Sequence, residues 1–217
     1  MNAFRFPLPA LVMLVCAGCA TMPGNPAAEA RLAVLASDAS LQEKAQACHE
    51  LAVVGGPESV PALAKLLGHE HLADYARSGL EVISHRSAGD ALRASLRTLQ
   101  GRNLAGAINS LGVRRDTESV PELKRLTLTP NPLVAEAAIN SLGMIGTAGA
   151  TQTLLKMVQS GPEDLRVPAT HAALVAAEHM TQSGQREAAR NLLNEVSRAQ
   201  TDDRLRKTVE AVKAEGR

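Results

Sequence analysis

The chain has 217 residues, with 23 Lys and Arg against 22 Asp and Glu, and it holds two Phe, one Tyr and no Trp. A formal charge of +1 and so few aromatic rings argue against a nucleic-acid binder, which needs a basic footprint and stacking platforms, and give no general attraction to acidic lipid. The length suits one domain, and three cysteines are too few for a disulfide scaffold.

The first eighteen residues have the layout of an export signal: one cation, Arg5, then an apolar stretch from Pro7 to Val15 that is too short to span a bilayer, then small residues before a cysteine. Ala17-Gly18-Cys19 resembles the lipobox of bacterial lipoproteins. The resemblance implies a signal peptide over 1–18, a lipid on Cys19 and an anchor in a membrane. Residues 19–28 then form a flexible linker, rich in Pro, Gly and Ala. The implied address is the bacterial cell envelope, outside the cytoplasm. The periplasmic face of the outer membrane is favoured because Ala20, not Asp, follows the cysteine. Ordinary secretion, with cleavage after Ala20, is the alternative. Loss of the leader leaves 22 basic and 22 acidic residues and only one cysteine beyond the lipidation site, Cys48, which falls in an apolar helical pattern and reads as a buried, inert thiol.

Apolar residues three and four apart predict helices over 27–36, 41–53, 57–67, 70–83, 87–98, 102–112, 117–127, 132–143, 148–159, 163–182, 185–199 and 202–214, and no strand. Turn chemistry separates them. Gly56 precedes Pro57, Gly161 precedes Pro162, and Asp116 and Thr147 suit helix N-caps. Ala, Leu and Val dominate the expected core, and Tyr75 is expected to fill a single wider gap.

One phrase recurs along this pattern. Leu51-Ala-Val-Val-Gly-Gly-Pro-Glu-Ser-Val-Pro-Ala-Leu returns as Ile108-Asn-Ser-Leu-Gly-Val-Arg-Arg-Asp-Thr-Glu-Ser-Val-Pro-Glu-Leu and again as Ile139-Asn-Ser-Leu-Gly-Met-Ile-Gly-Thr-Ala-Gly-Ala, with a weaker copy at Leu80-Glu-Val-Ile. Taking Leu51, Leu80, Ile108 and Ile139 as equivalent gives a period of about thirty residues, which marks a stacked-repeat architecture. Asn140-Ser-Leu-Gly-Met-Ile-Gly and Glu58-Ser-Val-Pro-Ala-Leu-Ala-Lys-Leu-Leu resemble HEAT repeats of the short bacterial kind called phycobilisome-lyase HEAT-like repeats. The resemblance covers residues 40 to 160. It implies an all-α fold, an α-α superhelix that mostly binds other proteins. The solenoid is expected over 29–160. Helical pairs over 161–217, one of them similar to a tetratricopeptide hairpin, are expected to cap it.

In such solenoids the second helix of each pair lines the concave face. Here those helices carry Lys65, Arg93, Arg97, Lys124, Arg125 and Lys156, a candidate basic stripe for a partner. Several of these cations also sit near helix C-termini, where they complement the macrodipole by about 0.3–1 kcal/mol. Arg114 and Arg115 are expected either to pair with Glu81 or Asp90 of the adjacent repeat or to grip a partner at the rim.

The pairs His49-Glu50 and His69-Glu70 resemble the dyads of a di-iron HEAT-repeat hydroxylase. That enzyme uses four dyads at equivalent places, whereas these two lie out of phase with the repeat, so no metal site is expected from them. His171 and His179 are two turns apart, too far for one ion. No nucleophilic constellation or phosphate loop is present. The expectation is a non-catalytic scaffold or adaptor with no cofactor, no small-molecule substrate and another envelope protein as partner. A metal-binding module or metal-dependent enzyme using His49, Glu50, His69, Glu70 and His71 is the alternative.

Overall fold

Caps and prolines cut the Ala- and Leu-rich chain into helices close to the expected places. The computed structural model describes residues 25–199 and 202–215. The leader, Cys19 and the linker up to residue 24 lie outside the described residues. Among the described residues are twelve α-helices and no strand: α1 (Pro26–Ala36), α2 (Leu41–Val54), α3 (Val60–Lys65), α4 (Ala73–Val82), α5 (Arg86–Ser95), α6 (Gly101–Val113), α7 (Val120–Leu126), α8 (Pro132–Ile145), α9 (Ala148–Ser160), α10 (Glu163–Gln182), α11 (Arg186–Ala199) and α12 (Asp203–Glu215). The fold is all-α. No helix among the described residues is long and apolar enough to cross a membrane.

Local chemistry explains the boundaries. Asn25 accepts from the backbone N–H of Ala27 and Ala28, so α1 begins at Pro26 and takes the last residues of the expected linker. Ser40 and Glu43 form a reciprocal capping box on α2, and Thr147 caps α9. Three expected helices start three residues late: α4 begins at Ala73 after a turn over 70–72, and the other two, α3 and α7, are delayed by proline. Pro61 and Pro121 have no N–H to continue a helix from 57 or 117, so each segment opens as a 3-10 turn (Pro57–Ser59, Thr117–Ser119) and becomes α-helical at Val60 and Val120.

The helices alternate between two layers. The first helices of the pairs, α2, α4, α6, α8 and α10, stack closely on one another; the second helices, α3, α5, α7, α9 and α11, form the other layer. The C-terminal pairs continue this order, with α10 packed on α8 and α11 on α9. Leu51, Leu80, Leu111 and Leu142 are fully buried, each three or four residues before the C-cap of its helix. Burying each stabilises the stack by about 1.5–3 kcal/mol. Leu111 and Leu142 therefore stand level with Leu51 and Leu80. Ile108 and Ile139, the equivalents expected from the phrase, are also buried but lie one turn earlier on the same face.

Close approach in the first-helix layer depends on missing side chains. A Cβ on Gly112 would meet the Ser141 Cα at 2.9 Å, and one on Gly143 would meet the Ala172 carbonyl oxygen at 2.6 Å. The Ser141 hydroxyl sits in this seam and donates to the Ile108 carbonyl at 2.9 Å. The α4–α6 junction is filled differently. Tyr75, the expected filler, is 47% exposed, because two positions along a helix turn the side chain by more than half a circle. Arg77 lies over Gly106 instead, close enough that a Cβ there would meet its guanidinium carbon.

Candidate functional site

The cations singled out in the sequence fall into three groups. Arg93, on α5, is mostly covered and bridges two repeats. It pairs with Asp90 on its own helix, and with Asp116 and Glu118 of the next repeat, the last at 2.9 Å. Asp116 is at the same time the expected N-cap, accepting from the Ser119 backbone N–H at 2.9 Å. Burial acts to lower the Arg93 pKa, but its ion pairs with Asp116, Glu118 and Asp90 outweigh that and hold it above its ordinary value.

Arg114 belongs to the backbone. Its Nη1 donates to the carbonyls of Leu80 at 2.5 Å, Glu81 at 3.1 Å and Ile83 at 2.6 Å, and its Nη2 to the carbonyl of His85 at 3.3 Å. These carbonyls end α4 and lead into α5, so Arg114 serves as a C-cap supplied by the following repeat. Burial pushes its pKa below the usual arginine value. The expected carboxylate partners are engaged elsewhere: Glu81 accepts from the Ser110 hydroxyl at 2.6 Å, and Asp90 pairs with Arg93. Carbonyls won over carboxylates because Arg114 reaches the end of α4, where several point the same way.

The third group is exposed: Lys65, Arg97, Arg115, Lys124, Arg125 and Lys156. Arg125 is tied to Glu122 at 2.6 Å. That hydrogen-bonded pair lowers the Glu122 pKa and raises that of Arg125. Arg97 and Arg93 line a cleft of about 440 Å³ between α5 and α7, together with Glu118 and Glu122, so its charge is mixed rather than basic. Lys65, Lys124 and Lys156 make no ion pair among the described residues. Lys65, Arg125 and Lys156 each lie two residues beyond a fully buried leucine, Leu63, Leu123 and Leu154, which places them at equivalent points of three repeats.

Residues 89–175, from within α5 to within α10, match the family model described as HEAT repeats. The stack is an all-α helical solenoid, and this stretch of it is similar to HEAT repeats. No curated protein matches the chain. HEAT repeats are helical scaffolds that commonly mediate protein–protein contacts, so the surfaces of this solenoid carry more interest than any single cleft.

Each layer of the solenoid presents a repeated row. On the first-helix layer, the residue two places beyond the buried leucine points outward in three repeats, Val53 being 80% exposed, Val82 62% and Val113 56%, while Met144, at the same place in the next, is half-buried with its Cε against Gly112. Single exposed apolar side chains are ordinary, but the same position exposed in consecutive repeats makes a stripe. The sequence contained this signal, in the phrase Leu-Ala-Val-Val, Leu-Glu-Val-Ile, Leu-Gly-Val-Arg and Leu-Gly-Met-Ile. It was hidden because all four residues also fit a helical core pattern.

The histidines do not converge. Glu50 is held by Gln46 and Arg31, with Arg31 Nε at 2.6 Å, and these hydrogen bonds lower its pKa. His69 and His71 occupy the turn before α4, their ring centroids 6.3 Å apart, and His69 Nδ1 accepts from the His71 backbone N–H. Among the described residues no group of three or more His, Cys, Asp or Glu could hold a metal ion. Cys48 is fully buried, and desolvation pushes its thiol up to about 11, as expected for an unreactive sulfur.

Proposed function

We propose that this protein is a non-catalytic scaffold that holds another protein along its first-helix layer, tethered to a bacterial envelope by a lipid on Cys19. The exposed row formed by Val53, Val82 and Val113 carries the reading. A partner segment lying across the repeats would bury one apolar contact per repeat, and the repeat spacing would set its register. The leader motif supports the tether. The neutral charge balance and scarcity of aromatic rings support a protein partner over nucleic acid. Lys65, Lys124 and Lys156 on the opposite layer remain available for a second contact.

Affinity capture from a detergent-solubilised envelope tests the surface. The triple variant V53D/V82D/V113D is expected to lose the partner that the wild-type chain retains, while K65E/K124E/K156E keeps it. Equal capture by all three removes the first-helix layer from the proposal, and loss only with the lysine variant moves the contact to the second-helix layer. The tether has its own test. Metabolic labelling with an alkyne fatty acid should mark the wild-type chain and not C19A, and an unlabelled wild-type chain favours ordinary secretion.

A further inference from the structure

The tight stacking of the first-helix layer opens at its C-terminal end. Helix α12 packs chiefly on α11 and only lightly on α10, whereas α10 is pressed against α8 through Gly143 and Ala172. The gap is a groove of about 390 Å³. That is within the range, roughly 300–1,000 Å³, that accommodates ligand groups.

Its lining has two chemical zones. Leu174 and Ala177 of α10, Ala189 and Leu193 of α11, and Val212 of α12 supply apolar surface. Arg186 and Arg190 of α11 and Lys213 of α12 supply three cations, against the single carboxylate of Glu178. Gln182 donates to Glu178 at 3.1 Å, and Lys213 is 3.3 Å from Glu210, so these groups have local partners. Arg186 and Arg190 are exposed and make no ion pair among the described residues. One turn apart on α11, they present two planar guanidinium forks on one side of the groove, a geometry suited to carboxylates.

We infer that this groove binds an acidic segment of a partner protein, seating one bulky apolar side chain between α10 and α12 while flanking Asp or Glu side chains engage Arg186 and Arg190. Charge complementarity selects this occupant. The groove's surplus of cations contrasts with the balanced charge of the whole chain, so the attraction is local to this end of the solenoid. The inference deepens the scaffold reading and rests on it only for the claim that the partner is a protein.

Fluorescence anisotropy on the full chain in lipid nanodiscs tests it. The probe is a fluorescein-labelled octapeptide of Glu and Asp with one central Phe. Saturable binding is expected, weakened about tenfold or more in R186E/R190E. Replacing the Phe by Ala should cost about as much, and added salt should weaken binding. The milder R186Q/R190Q gives the same direction should the reversal disturb folding, which a circular-dichroism melt reports. The inference is overturned if the arginine variants bind as tightly as wild type, if a lysine version of the peptide binds equally well, or if laurate binds where the peptide does not. V53D/V82D/V113D should leave peptide binding unchanged, so failure of the groove and failure of the apolar row are read separately.

Discussion

Two junctions of the first-helix layer share helix α6 and are held by opposite means. Against α8, α6 presents Gly112 to the Ser141 backbone, and contact rests on the absence of a side chain. Against α4, α6 presents Gly106 to the Arg77 guanidinium, which salt-bridges Asp74 at 2.5 Å, while Ser110 bonds Glu81 and Arg114 caps the helix end. A small-residue seam fixes the distance between helices; a polar seam fixes their register through directed bonds. The α4–α6 seam also holds a buried Arg77 Nη1 with no hydrogen-bond partner, a cost that a dry junction avoids.

The largest expected effect separates the two glycines. Both sit within one helix, so replacing either with Ala gains the same helix propensity, about 0.5–1 kcal/mol. At Gly112 the new Cβ meets backbone that cannot retreat without moving α8, and G112A is expected to destabilise by roughly 1–3 kcal/mol. At Gly106 the obstacle is the end of a flexible side chain, so G106A is expected to be neutral or slightly stabilising as Arg77 swings aside. Chemical denaturation of the two single variants decides the matter. Equal losses would mean that Arg77 is as rigid as a backbone, and the distinction between the seams would collapse.

The next effect concerns the cap that spans repeats. Removing the guanidinium in R114M leaves the carbonyls at the end of α4 without their donor in a partly buried site, and a loss of about 1–2 kcal/mol is expected. Hydrogen exchange should show α4 opening before α8. Uniform loosening of both helices would assign Arg114 a general packing role instead.

The difference between these seams also explains what could be read in the sequence. Helix positions and the Asp116 and Thr147 caps depend on residues within one turn of each other, and short-range spacing exposed them, while the repeat period showed in a phrase that recurs. What Arg114 and Arg77 bind depends on side chains reaching across about thirty residues, and spacing carries no such information. Arg93 and Arg114 were both candidates for a partner surface; only the fold assigns one to three carboxylates and the other to carbonyls. The same holds for the surfaces. Val53, Val82 and Val113 follow the core periodicity, and their exposure depends on how the first helices face outward once stacked. The groove beside α11 required three helices to be placed together before Arg186 and Arg190 had a common neighbour.

The smallest predicted effect lies at the boundary between the two seams and has the opposite sign. Arg115 follows α6 with φ of 50°, the left-handed region that costs a non-glycine residue about 1–2 kcal/mol. The corresponding turn after α8 uses Gly146, with φ of 65°. R115G relieves the strain while making the unfolded chain more flexible, which offsets about 0.4–1 kcal/mol, so a net gain near 0.5 kcal/mol is expected in urea denaturation. A residue kept in a strained conformation that glycine occupies one repeat later invites a functional reason. Arg115 is exposed at the end of the helix that carries Val113, so partner capture measured on the same variant separates two cases. A more stable chain that still captures its partner makes Arg115 a tolerated irregularity of the polar seam. A more stable chain that loses its partner makes Arg115 part of the binding surface, with the strain retained for contact rather than for folding.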